Sequence, residues 1–151
     1  MKYIAATKAD FKQWLEMALQ LWPSSTDVDL LSLFKSISKS KNQDIYVCKN
    51  EGSILVGFIL VSVRSDYVEG LTSKPVGYIE GIYVREQYRN RGIANCLVTL
   101  GEQWAFDRGC VEMGSDAELD NLDSATFHRK MGFREANKIV CFIKSIDRKN
   151  A

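Results

Sequence analysis

Between Tyr78 and Ser115 the chain contains one unit that few folds can accommodate. A strand rich in Ile, Tyr and Val, Tyr78 to Val84, leads through Arg89-Asn90-Arg91-Gly92-Ile93-Ala94 into a run where Ile93, Leu97, Leu100 and Trp104 recur at helical spacing. Gly109 stops that run, and Val111 to Ser115 reads as a second, short strand. Two strands joined by a crossover helix lie parallel or nearly so, with a right-handed connection. The spacing predicts the helix over Gly92 to Arg108.

The rest of the chain builds outward from this unit. Lys2 to Ala6 is a short strand, and Thr7 with Asp10 is a helix-start signal. Phe11, Trp14, Leu15, Ala18 and Trp22 then follow a helical period that Pro23 ends. A second helix opens at Thr26 and carries Leu30, Leu31, Phe34 and Ile37. Asp44 to Lys49 and Ser53 to Val63 are strands joined by the hairpin signal Asn50-Glu51-Gly52. Asp66 to Gly77, with Gly70 and Pro75, is a loop. Beyond the crossover unit come a short helix, Ser124 to Met131, and a last strand, Lys138 to Lys144. The order β-α-α-β-β-β-α-β-α-β predicts an α/β (mixed α+β) fold: a mostly antiparallel mixed sheet with helices on both faces. No linker or repeat divides the chain, so residues 1–151 are expected to form a single domain.

Composition narrows the function classes. A formal net charge of +1 argues against a nucleic-acid binder. The most apolar run, Ile54 to Val63, is far short of the roughly 20 residues a membrane helix needs. Lys8 and Asp10 interrupt any signal-peptide pattern, and the four cysteines form no C-x-x-C pair. With one histidine in the chain, neither a metal site nor a disulfide framework is expected, and a reduced cytoplasmic setting is.

The turn Arg89 to Ala94 carries the strongest chemical signal. Amides at a helix N-terminus lack partners, and the helix dipole favours an anion there. Gly92 and Ala94 keep bulk away from such an anion, while Arg89 and Arg91 add positive charge. On their own the glycine and arginines fit a surface turn as well. Placed between a strand and a patterned helix, R-x-x-G-x-A resembles the acyl-CoA pyrophosphate loop of the GNAT superfamily. That resemblance implies acetyl-CoA as cosubstrate, with its pyrophosphate on the backbone of Arg89, Asn90, Arg91, Gly92, Ile93, Ala94 and Asn95. It also implies that Ile82, Tyr83 and Val84 pair with the pantetheine arm as an added strand would.

Acidic residues suggest the other substrate. Asp116, Glu118, Asp120 and Asp123 crowd together after the second crossover strand, and Asp66 and Glu69 lie in the preceding loop. Such a cluster attracts a polycation, although the run after Asp116 is also what a solvated turn looks like. Glu80 stands in an apolar strand, where a carboxylate is costly unless functional or paired across the sheet. Trp22 and Tyr67, as isolated aromatics, are compatible with plain packing.

A closer likeness runs through Leu21-Trp22-Pro23, Asp66-Tyr67-Val68-x-Gly70, Pro75-Val76, Glu80-Gly81-Ile82-x-Val84, Ser115-Asp116, Asn121 and His128-x-x-x-Gly132-Phe133. These blocks are similar to a subgroup of aminoglycoside 6'-N-acetyltransferases. The resemblance implies that Trp22, Tyr67, Glu80 and Asp116 contact the antibiotic and that Asn121 meets the coenzyme. A further acidic contact of the subgroup falls on Asn137 here, which removes one charge from the substrate side. Homodimers among the related enzymes imply one here, in keeping with the uninterrupted apolar run Ile139 to Ile143.

The chemistry follows from the residue types. An amine must lose a proton before it attacks a thioester, and Asp116 or Glu80 can accept it directly or through water. Amides of Ile82 to Val84 can polarise the thioester carbonyl. Where many superfamily members carry a tyrosine acid, this chain has His128, either as the acid or as a hydrogen-bonding neighbour of the coenzyme. No cysteine has a base partner, which disfavours a covalent route. A polyamine or protein N-terminus is an alternative acceptor, and a non-catalytic acetyl-CoA-binding module is the alternative class.

Overall fold

The longest strand of the molecule is buried on both faces. The structure, a computed structural model, describes residues 1–146 and falls into two units, Met1–Asp116 and the residues from Ala117 onward. In the first unit one sheet holds β1 (Lys2–Ala5), β2 (Gln43–Lys49), β3 (Leu55–Arg64), β4 (Val76–Val84) and β5 (Met113–Ser115). The strands lie side by side in chain order. Neighbours are antiparallel except β4 and β5, which are parallel and joined by helix α3 (Ile93–Phe106), the expected crossover.

Alternation along β3 explains the layers. Phe58 and Leu60 enter a cluster with Trp14, Met17 and Ala18 of α1 (Phe11–Leu21) and Leu30, Phe34 and Ile37 of α2 (Asp27–Lys39). Ile59 and Val61 turn the other way, onto α3. A Cβ added at Gly101 of that helix would lie 3.0 Å from Val61 and 3.2 Å from Ile59, so the glycine sets how closely α3 approaches. Phe58 and Met17 are fully buried, each contributing about 1.5–3 kcal/mol.

Local signals act where the sequence places them. Thr26 caps α2 by accepting from the Asp29 amide at 3.1 Å. Asp10 accepts from the Thr7 amide at 2.8 Å and pairs with Lys49 of β2 at 2.8 Å, tying the entry of α1 to the sheet. The hairpin after β2 uses one more residue than its Asn-Glu-Gly signal: Ser53 takes φ +59° and its amide bonds Asn50 C=O at 3.0 Å. β3 therefore starts at Leu55.

Register carries the most consequential irregularity. Leu60 faces Gly81 and Val61 faces Ile79, so Glu80 is an extra residue of β4 with no opposite number on β3. A bulge of this kind re-aims a side chain. The β4–β5 ladder is also short, running only from Gly77↔Met113 to Ile79↔Ser115, so β4 continues past its end.

In the second unit, α4 (Leu122–Lys130) is capped by Asn121, whose Oδ1 accepts from the Ser124 amide at 3.0 Å. The expected last strand, Lys138 to Lys144, does not form: these residues are in neither helix nor strand. Ile139, Val140, Phe142 and Ile143 are 65%, 75%, 89% and 100% exposed. A strand needs a neighbouring ladder, and the described residues of this unit contain no other strand.

Candidate active site

The coenzyme-side residues predicted from the turn stand at the start of α3. A 3-10 turn, Glu86–Tyr88, carries the chain out of β4. Arg89 is anchored there, its Nε donating to Val84 C=O at 2.8 Å and its guanidinium lying 5.4 Å from the Tyr83 ring. Asn90 and Gly92 take φ +62° and +79°, the left-handed region that favours glycine. A Cβ at Gly92 would meet nothing within 4 Å, so the glycine serves the backbone's turn and leaves open space in front of it. The first helical bond runs from the Cys96 amide to Gly92 C=O, which leaves the amides before it pointing out of the helix end. Ile93 is buried beneath this turn, while Arg91 and Asn95 are exposed and Ala94 half-buried. An anionic group fits this cradle, with backbone donors in front and arginines at its rim. Ile82 to Val84 lie in the part of β4 that β5 does not reach.

Of the carboxylates expected on the acceptor side, Glu80 lies on the other half of β4 and Asp116 directly follows β5. The bulged Glu80 turns onto the same face as Ser62 and Arg64 of β3. Arg64 grips it as a fork, Nε to Oε2 at 2.9 Å and Nη2 to Oε1 at 2.6 Å, and the Ser62 hydroxyl donates a short hydrogen bond to Oε2. The bond to Glu80 raises the Arg64 pKa above its ordinary value, against the opposing effect of burial. The Arg64 guanidinium carbon sits over the Tyr78 ring, 3.5 Å from its centroid. Tyr78 in turn donates its hydroxyl to Asp116 Oδ2 at 2.7 Å. Burial first, then this bond to a carboxylate, pushes the Tyr78 phenol well above its ordinary range.

Two glycines make room for this arrangement. A Cβ at Gly114 would come 2.9 Å from the Tyr78 ring, and one at Gly81 would come 2.5 Å from the Trp22 indole. Trp22, at the end of α1, is thereby seated against the backbone of β4 one residue from Glu80. Tyr67 is 71% exposed and donates its hydroxyl to Glu69 at 3.0 Å. The loop beyond it is tied down at Thr72 and Ser73, whose amides donate to Glu112 Oε1 at 3.2 and 2.8 Å.

Ser62, Arg64 and Tyr78 are the neighbours of Glu80 and Asp116 that sequence reasoning missed. The available signal was a lone arginine near the end of an apolar strand and a lone carboxylate in the next one, a pattern that favours cross-strand pairing. The paired alternative for Glu80 is the one the structure adopts.

In the second unit, His128 Nδ1 lies 2.7 Å from Ser124 C=O on the preceding turn, a spacing that places the proton on Nδ1. Its ring meets Phe127 and Phe133 edge-on. The Asn121 oxygen is engaged in capping α4, and Asn137 Oδ1 accepts from the Lys138 amide at 2.8 Å.

Residues 9–133 match the acetyltransferase (GNAT) family. The aminoglycoside N(6')-acetyltransferase type 1 of Acinetobacter haemolyticus is 36% identical over 94% of this chain and 97% of its own. The protein of the same name from Stenotrophomonas maltophilia is also 36% identical, over 91% and 88%. Among solved structures, the apo aminoglycoside antibiotic 6'-N-acetyltransferase AAC(6')-IG from A. haemolyticus matches with a TM-score of 0.92 at 35% identity, covering 97% of this chain and 100% of that one. AAC(6')-Iy in complex with the bisubstrate analog CoA-S-monomethyl-acetylneamine gives 0.91 at 30% identity, covering 96% and 98%. By these matches the chain belongs to the acetyltransferase (GNAT) family.

Proposed function

We propose that this chain moves an acetyl group from acetyl-CoA to the 6'-amine of an aminoglycoside antibiotic, and so confers resistance to it. The observation that carries the reading is the division of β4. Its outer half, paired with β3 but not reached by β5, runs toward an anion cradle, and its bulge turns a carboxylate to the face where Asp116 is held. The names of the relatives support the choice of acceptor.

Acetyl-CoA, when bound, supplies the acetyl group as an activated thioester. The amides of Gly92 to Asn95, flanked by Arg89 and Arg91, would hold its pyrophosphate, and Ile82 to Val84 its pantetheine arm. Asp116 and Glu80 attract the acceptor's ammonium groups, and one of them takes the proton from the reacting amine, directly or through water. Trp22 and Tyr67 give the sugar rings apolar surface, and at Asn137 the likeness to the subgroup implies a contact that has lost its charge. Asn121 and His128 belong to the coenzyme side of this reading.

The reading includes one acetyltransferase domain across residues 1–151, supported by a family match that runs through to residue 133. It includes a homodimer, supported by the exposed apolar segment Ile139 to Ile143, which needs cover. Four free cysteines support a cytoplasmic setting. Among the described residues no helix is long and apolar enough to cross a membrane.

Release of free CoA with kanamycin, with spermidine and with no acceptor tests the activity, and NMR of the kanamycin product tests the position. Kanamycin is expected to turn over best and to carry acetyl on the 6'-nitrogen. Acetylation at another nitrogen overturns the acceptor assignment.

A further inference from the structure

We infer that Arg64 is a specificity-determining residue: a resident cation seated on Glu80, which a polycationic acceptor must displace. The inference rests on the reading of Glu80 and Asp116 as the acceptor-side carboxylates. It goes beyond that reading by assigning a role to a residue of β3 that no substrate contact requires.

The geometry around Glu80 leaves little for a ligand. A carboxylate offers about four lone-pair positions, and two Arg64 nitrogens and the Ser62 hydroxyl use three of them. The ion pair is neutral as a whole. With Arg64 in place, Asp116 is the one of these two carboxylates that has no ion pair among the described residues and is bonded to a neutral phenol instead. With Arg64 swung away the acceptor meets both.

The fork is strong enough to matter and open enough to exchange. Two parallel charge-assisted bonds and the Tyr78 ring hold the guanidinium. Its side chain is still 39% exposed and that of Glu80 26%, so both remain within reach of solvent and ligand. Departure of Arg64 would also uncover the Tyr78 ring, only 7% exposed beneath it, while the Tyr78 hydroxyl keeps hold of Asp116.

Exchange of one cation for another favours a ligand with two ammonium groups. One group binds Asp116, and the second then meets Glu80 at high effective concentration. A monoamine has no second charge to offer and leaves Arg64 where it is. Arg64 thus lowers affinity for polycations without blocking them, and its removal should tighten them selectively.

Calorimetry with kanamycin, spermidine and the single-ammonium sugar methyl 6-amino-6-deoxyglucoside tests this on wild type, Arg64→Met, Arg64→Lys and Ser62→Ala. Kanamycin and spermidine are expected to bind Arg64→Met about tenfold more tightly, the size of one charge-assisted contact, and the monoamine to change less than about twofold. Arg64→Lys keeps the cation and should stay close to wild type; Ser62→Ala should move in the direction of Arg64→Met by a smaller factor. In turnover the KM for kanamycin should fall while the KM for acetyl-CoA stays at its wild-type value. Weaker polycation binding by Arg64→Met, or equal tightening of all three ligands, overturns the exchange. Binding is read without turnover, so a wild-type enzyme that binds kanamycin but fails to acetylate it at the 6' position would sink the acceptor assignment alone. Unchanged binding of both polycations by Arg64→Met sinks the inference about Arg64.

Discussion

The two ends of β4 meet their proposed ligands by different means. Beyond Val84 the chain builds an anion seat from backbone: a left-handed glycine, the first amides of α3 and arginines at the rim. Around the Glu80 bulge the proposed cation site is made of side chains that β3, β4 and the residue following β5 bring together. A backbone seat is specified within a few consecutive residues and offers the same donors to any phosphate. A side-chain site depends on register and on its internal pairings, so it can discriminate between acceptors and can be retuned one residue at a time.

Changes on each side should therefore fail in different ways. The largest effect is expected at Gly92→Glu, which forces φ +79° on a side chain and brings a carboxylate to the anion seat. Acetyl-CoA binding should weaken by roughly a hundredfold, about 2.7 kcal/mol. Calorimetry would measure this, with circular dichroism near native, and unchanged affinity would break the comparison on the backbone side.

Asp116→Asn comes next. It removes the charge that Tyr78 orients, and kcat/KM for kanamycin should fall by about 2 kcal/mol, near thirtyfold. Coenzyme affinity should not move. A fall confined to coenzyme binding would place Asp116 on the wrong side of the division.

Asp10→Asn sharpens the contrast between a carboxylate paired for structure and one paired for binding. The Asp10 side chain is 5% exposed, against 26% for that of Glu80. Burial opposes its charge, but Lys49 and the Thr7 amide outweigh burial and hold its pKa below the ordinary aspartate value. A depressed folded pKa means stability that is complete above the unfolded value, about 3.9, and lost as pH falls through the folded one. Urea unfolding should show Asp10→Asn less stable by about 1.5 kcal/mol at pH 7. The gap to wild type should narrow toward pH 3, with acceptor discrimination unaffected.

The smallest effect is expected at Gly114→Ala. Its Cβ would press on the Tyr78 ring at 2.9 Å, a crowding worth about 1 kcal/mol, and tilt the plate on which Arg64 lies. Acceptor KM should shift severalfold in steady-state assays, with acetyl-CoA binding untouched.

What could be read in advance divides along the same line. Arg89 to Asn95 were legible because a turn, a glycine and a helix start are adjacent in sequence. The crossover unit and the hairpin were legible for the same reason. The partners of Glu80 were not, because Arg64 faces it only through a bulge, and a bulge leaves no mark in hydrophobic periodicity. Trp22 was noticed, yet the reason it can approach β4 is Gly81, far away in sequence. Ile139 to Ile143 were read as a strand because composition reports that a segment wants cover. It does not report which edge supplies it.

Strand order along the sheet follows chain order from β1 to β5. During synthesis each new strand therefore pairs with the edge laid down just before it, after two helices between β1 and β2 and one between β4 and β5. Contacts that close over short stretches of chain form quickly, and N-terminal parts can organise while the remainder is still being made. β1 to β4 can thus be paired before α3 has left the ribosome. The approach of β5 to β4 must wait for the whole crossover helix, and until the ladder at Gly77 closes, the β4 edge stays open to association.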